Sequence, residues 1–152
     1  MRRLLIILSL FLLLPAASIA QDAPLFTEDF PPEEFTTRRD MVYDAIGTDA
    51  VAVLQGEPTP RGYVRFRQSN EFYYLSGIEV PHAYLVLNGA TRRATLYLEH
   101  RKPGRERSEG KMLSAEDAEL IQSLSGIDAV SPIENLTGDL ANLQRRSTVR
   151  EI

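Results

Sequence analysis

Two histidines, His82 and His100, and no cysteine make up the whole stock of imidazole and thiol ligands in this 152-residue chain. A thiolate metal site, a cysteine nucleophile and a disulfide framework are therefore excluded, and a two-histidine metal site would have to use both rings. The two histidines flank a predicted hairpin at different strand ends, with no evident carboxylate cluster beside either, so the pattern argues against a metal centre. Glu99 beside His100 would be an acid/base pair only if both side chains faced one way, and neighbours on a strand face opposite ways. A surface pair is the simpler reading. Gly104 to Lys111 resembles a phosphate loop until it is counted: five residues rather than four separate Gly104 from Gly110, and Met112 stands where a hydroxyl ligand belongs. Asn135-Leu136-Thr137 has the pattern of a glycosylation acceptor but falls in a predicted helix.

The polar residues that stand out instead are Arg67, Gln68 and Asn70. They lie in the stretch Arg65 to Leu87, which gathers Phe66, Phe72, Tyr73, Tyr74 and Tyr84 in a chain that is only 8% aromatic. This stretch reads as the core. Side chains held among such rings must satisfy backbone groups or an acid, because an unpaired polar group is costly to bury. All three are expected to be structural determinants, with contact to a substrate as the alternative. Asn70 reads as the N-cap of a short helix through Leu75, and Gly77 suits a left-handed C-terminal stop. After Pro81, the apolar run Ala83 to Leu87 is expected to be a strand buried on both faces.

The elements around that stretch follow from spacing. Glu33 and Glu34 fit the first turn of a helix on which Phe35, Met41, Val42, Ala45 and Ile46 recur, with Gly47 at its end and Arg38 and Arg39 along it. A strand is expected over Ala50 to Leu54, then a Gly- and Pro-rich loop. Asn88-Gly89 signals a turn returning Ala94 to Glu99 as a hairpin partner, with Leu96 and Leu98 on one face and Thr95, Tyr97 and Glu99 on the other. Ser114 to Asp117 reads as a capping box opening a helix with Ala118, Leu120, Ile121 and Leu124 buried and Gly126 beyond its end. A strand over Ile127 to Val130 follows, and Ser131-Pro132-Ile133-Glu134 reads as a second box before a helix carrying Ile133, Leu136, Leu140 and Leu143. Alternating strands and helices predict one α/β domain with a central mixed β-sheet flanked by helices.

The order Phe66-Arg67-Gln68, Asn70, Phe72-Tyr73-Tyr74-Leu75, Gly77 and Pro81 before an apolar strand resembles the N-terminal domain of the aminopeptidase P (Xaa-Pro aminopeptidase) family. The paired arginines before the first strand fit the same pattern, and the resemblance runs over residues 33–145, leaving 146–152 as the start of a linker. It departs where the family commonly shows Glu-x-Trp-x-Gly: here Glu106 and Gly110 are present, but Ser108 takes the aromatic position. The resemblance implies a loop facing an active site, with Ser108 leaving it solvated and weak as a contact. It further implies that catalysis belongs to a C-terminal "pita-bread" domain. There, two aspartates, a histidine and two glutamates hold a dinuclear manganese centre whose hydroxide attacks an X-Pro peptide bond. No catalytic or metal residue is assigned to this chain on that basis. The implied partners are the catalytic domain, peptides with proline second and a further subunit. Creatinase and prolidase carry related front domains, and a stand-alone secreted binding or assembly module is the alternative.

Composition bounds the rest. With 43% hydrophobic and 25% charged residues the chain suits one core, and a net charge of −4 without a basic face argues against nucleic acid as a partner. Arg2 and Arg3, the apolar run Leu4 to Leu14 and the small residues Ser18 to Ala20 form a signal-peptide pattern. Eleven apolar residues would span only about 16 Å as a helix, against a hydrocarbon core of about 30 Å, so a stable membrane anchor is not expected. Residues 1–20 are read as a signal peptide, 21–32 as an extended, mobile lead-in, and the location as secreted or periplasmic. N-terminal sequencing of the exported protein is expected to read from Gln21, after cleavage at Ala20; Met1 retained in a membrane fraction would refute this.

Overall fold

The computed structural model describes residues 30–146 apart from Tyr63. The expected signal peptide with its Ala20–Gln21 cleavage site, most of the expected lead-in and residues 147–152 lie outside the described residues. Helix α1 (Pro32–Ile46) starts on Pro32, whose missing N–H is no loss in a first turn, and carries Glu33 and Glu34 where they complement the helix dipole. Gly47 closes it. Its buried stripe differs from the expected one. Phe35 and Tyr43 are buried, whereas Met41 is 56% exposed and Ala45 lies outside. The inward positions between Phe35 and Tyr43 are taken by Arg38 and Arg39, charged residues that a hydrophobic count passes over.

Four strands, β1 (Val51–Gln55), β2 (Tyr84–Asn88), β3 (Arg93–Leu98) and β4 (Ala129–Pro132), lie side by side in chain order. The first three run antiparallel and β4 joins β3 in parallel, so the sheet is mixed, as expected. Leu85, Leu87, Ala94, Leu96 and Leu98 face one side, against Phe35, Phe72, Ile121 and Ile127. Val51, Val86 and Tyr97 face the other, against Ile133, Leu136, Leu140 and Leu143. Helices thus cover both sides: α1, α2 (Asn70–Ser76) and α4 (Ala118–Ser125) on the first, α5 (Leu136–Arg146) on the second. Burial on both faces is why β2 reads as an unbroken apolar run.

Several local expectations are corrected. Ser69, not Asn70, caps α2, its Oγ accepting from Phe72 N at 3.3 Å; Asn70 is the first helical residue and is exposed. The polar loop after β3 is a helix, α3 (Pro103–Glu109), started by a proline at its first position. Leu120 is 40% exposed, and Ile121 and Ser125 supply the buried side of α4. The first capping box exists, Asp117 accepting from both Ser114 N and Ser114 Oγ, although it opens a 3-10 turn (Ala115–Asp117) ahead of α4. The second does not. Ser131 and Pro132 pair with Tyr97 and Leu98 of β3 and are therefore extended, and the helix begins only after a 3-10 turn over Ile133–Asn135, with no side-chain cap.

The two arginines of α1 join the helices. Arg39, 2% exposed, donates from Nη1 to Leu75 O (2.9 Å) near the end of α2, and from Nη2 to Ser125 O (3.1 Å) and Gly126 O (2.6 Å) at the end of α4. Carbonyls at a helix C-terminus lack intrahelical donors and carry the negative end of the dipole, so one planar cation satisfies both ends at once. Burial pushes the Arg39 pKa down, yet a guanidinium stays charged. Beside it Arg38 reaches Tyr74 O (3.2 Å) and stacks on the Tyr74 and Phe30 rings at 4.4 and 4.8 Å. Phe30 is thus packed against the domain. A side chain at Gly126 would put its Cβ 2.6 Å from Thr36 Oγ1, so glycine is what lets α4 end this close to α1. Arg39→Met is expected to destabilise the fold by about 3 kcal/mol, because it strands buried carbonyls. Arg39→Lys should cost less than Arg39→Met but still destabilise, since an ammonium can donate to one helix end and cannot span both. Urea unfolding measures this, and a loss under about 0.5 kcal/mol for Arg39→Met, the scale of an ordinary surface change, would contradict it.

Candidate functional site

The described residues of 56–69, between β1 and α2, have no regular secondary structure, and side chains do much of the work of holding them. Gln68, 8% exposed, does this at its base. Its Oε1 accepts from Glu57 N (2.7 Å) and Ser69 N (3.0 Å), and its Nε2 donates to Val80 O (3.0 Å). The amide therefore does the work of missing backbone pairs. Gly56 makes room: a Cβ there would stand 2.7 Å from Gln68 Nε2, while Gly56 N itself donates to Ala83 O at 2.8 Å.

Further out, the loop is tied to the turn before β2. His82 adopts φ 60, a left-handed conformation unfavourable for a residue with a Cβ, and its N–H donates to Glu57 O at 2.9 Å. Its Nε2 lies 3.2 Å from Thr59 N and 3.0 Å from Thr59 Oγ1. On the far side Arg105 of α3 donates to Thr59 Oγ1 (3.2 Å) and holds Glu109 at 2.7 Å.

Between loop and helix lies a cleft of about 640 Å³. Phe66, Val64, Pro81 and Met112 form its apolar lining, with Glu79, Arg105, Ser108 and Glu109 as polar groups. Phe66, Pro81 and Ser108, distant in the chain, are thereby brought together. Ser108 is exposed on α3, its Oγ donating to Arg105 O at 3.0 Å. Glu106 turns elsewhere, into a neighbouring cavity of about 30 Å³, where its Oε1 is buried without a hydrogen bond and stands 4.0 Å from Arg101 Nε. That volume admits a water molecule. Gly110 ends α3.

The remaining sequence candidates separate. Phe72 and Leu75 are core, Tyr73 is half-buried, Tyr74 is exposed over Arg38, and Gly77 closes α2 in a left-handed conformation. Gln68 meets its expected use. Arg67 does not: it points into solvent and makes no hydrogen bond or ion pair among the described residues, because alternate side chains of an extended segment face opposite ways. Asn70, exposed on α2, satisfies no backbone group either.

One polar cluster was missed. His100 does have carboxylate partners, Glu116 on Nδ1 at 2.6 Å and Glu134 on Nε2 at 2.8 Å. They come from the 3-10 turns before α4 and before α5, so no local spacing could place them there. Glu99 instead pairs with Lys102 at 2.7 Å. Because the two glutamates take opposite ring nitrogens, they cannot converge with the ring on one ion. Among the described residues no three His, Asp or Glu side chains are grouped to hold a metal.

Residues 35–151 match the family model described as aminopeptidase P, N-terminal domain. A protein of Pyricularia oryzae, named a probable Xaa-Pro aminopeptidase, is 32% identical over 67% of this chain and 20% of its own length. Xaa-Pro aminopeptidase 3 of Mus musculus is 30% identical over 68% of this chain and 22% of its own length. The chain thus spans about a fifth of these curated relatives. A Bacillus anthracis structure assigned to aminopeptidase P superposes with a TM-score of 0.68 at 22% identity, over 79% of this chain and 29% of that one, a likeness of fold.

The His100 clasp has a definite pH sign. The Glu116 hydrogen bond, then Glu134, raise the His100 pKa, and the His100 hydrogen bond holds the Glu116 carboxyl down at about 2. A raised folded value means that the stabilisation is complete below the unfolded value of about 6.5 and is lost as pH rises through the folded one. The melting-temperature difference between wild type and His100→Gln should therefore be larger at about pH 5.5 than at about pH 9. Equal differences at both would show that the clasp carries no ionic stabilisation.

Proposed function

The chain belongs to the aminopeptidase P N-terminal-domain family, and we propose that it is the non-catalytic front domain of a secreted Xaa-Pro aminopeptidase. The longer protein would remove an N-terminal residue preceding proline, using a dinuclear manganese centre in a C-terminal catalytic domain. The observation that carries this reading is convergence. The family-motif residues Phe66 and Pro81 and the helix carrying Ser108 and Glu109 line one cleft. In this reading the cleft faces the catalytic domain and shapes the approach of the peptide, its apolar lining suited to a proline ring and its carboxylates to a peptide ammonium.

The donor set of the described residues does not fit the implied manganese, since no three of their carboxylates and imidazoles are grouped to hold a metal ion. No reaction step is assigned to them. Their part is positional: Gln68 sets the loop and Arg105 joins it to α3.

The test compares the chain alone with the chain joined to its catalytic domain, using an X-Pro peptide and manganese. The chain alone is expected to release no amino acid and the joined protein to turn over; turnover by the chain alone would overturn the reading. In the joined protein Ser108→Trp is expected to shift KM by about threefold or more with folding intact, because an indole would fill much of one cleft wall. An unchanged KM would remove the cleft from the substrate's path.

A further inference from the structure

We propose that His82 is a pH-responsive latch on the cleft, its neutral imidazole holding the Thr59 segment closed by accepting two hydrogen bonds at Nε2, and its protonation releasing that wall. The direction of the bonds carries the inference. Thr59 N is a backbone N–H that can only donate, and it lies 3.2 Å from His82 Nε2, so this nitrogen must present a lone pair. With Nε2 unprotonated, Thr59 Oγ1, 3.0 Å from it, can bond it only by donating its hydroxyl hydrogen, which leaves the oxygen lone pairs free to accept from Arg105 Nη2. The ring that fits is the neutral tautomer with its proton on Nδ1.

Adding a proton at Nε2 sets an N–H against the Thr59 N–H. The main-chain bond is then lost outright, and the hydroxyl bond survives only by reversing its direction. Among the described residues of 58–67, Thr59 alone makes hydrogen bonds to the rest of the domain, and all of them run to His82 or Arg105. The ionisable groups around the latch are Glu57 in the loop, Glu79 ahead of the turn, and Arg105 with its partner Glu109 on α3. Arg105 is bonded to the same threonine. The left-handed φ of His82 fits a residue held in place by the contacts it makes, since such backbone is kept only where the surroundings over-determine it. The latch is a property of the cleft walls and stands whatever faces the cleft. Its bearing on peptide turnover rests on the function proposed above.

NMR of the full chain tests it without a peptide, so that its failure is distinct from failure of that function. Long-range imidazole spectra at about pH 8 are expected to show His82 with its proton on Nδ1. Hydrogen-exchange protection of the Thr59 amide, corrected for intrinsic pH dependence, is expected to fall about fivefold or more between about pH 8 and about pH 5, while Leu85 and Leu96 in the sheet keep theirs. His82→Gln, whose side-chain oxygen accepts but does not titrate, should abolish that fall. A proton on Nε2 at pH 8, equal Thr59 protection at both pH values, or the same fall in His82→Gln would each overturn the latch. Should the variant not fold, the wild-type tautomer and protection profile decide.

Discussion

The constraint on which this domain rests is the need to close two short helices at a shared point in its interior. Helices of seven and eight residues are too short to persist on their own, and each ends with carbonyls that have lost their partners. Arg39 supplies donors to both ends from a third helix. A fork of donors in one plane can do this where an ammonium or an amide cannot. The cost is a cation with little exposure, offset by hydrogen bonds to the negative ends of two helix dipoles and by Arg38 stacked among rings alongside.

From that point the sheet follows. α2, held at its end, contributes Phe72 and Leu75, and α4 contributes Ile121, to the same core as Leu85, Leu87, Leu96 and Leu98 of the sheet. The opposite face is closed by α5, which Tyr97 ties down through Asp139 at 3.0 Å. The hairpin between β2 and β3 is fastened to α1 by Arg92, which binds Asp40 and Asp44 at 2.9 and 2.6 Å. These surface pairs are worth little each. They matter as orientation rather than as stability.

The cleft is built by a different means. Its one wall is a short helix and its other wall a loop rich in glycine and proline, so it inherits no rigidity from the sheet and depends on side chains bonding to backbone. Gln68 secures the base of the loop, and Thr59, between His82 and Arg105, secures its outer part. The two histidines also stand in opposite hydrogen-bonding settings: His100 has a carboxylate on each ring nitrogen, whereas His82 has a backbone donor at Nε2.

Sequence alone determined the domain class, the β2–β3 hairpin, the hydrophobic faces of β2 and β3 and the family, because each is written in local periodicity or in a contiguous motif: an apolar run, an Asn-Gly turn, a string of aromatic residues. It also singled out Gln68, whose place in an aromatic-rich stretch called for burial with partners. Boundaries that depend on pairing were decided elsewhere. Ser131 and Pro132 carry every local mark of a helix start, yet the parallel register with β3 draws them into a strand. Asn70 and Ser69 are equal as caps until packing chooses which one lies outside the helix. The inward turn of Arg38 and Arg39, the clasp of His100 by residues 16 and 34 positions later, and the meeting of Phe66, Pro81 and Ser108 at one cleft belong wholly to the tertiary structure. A charge reads as solvent-facing until the fold brings a partner to it, and a partner that arrives from another element leaves no trace in local spacing.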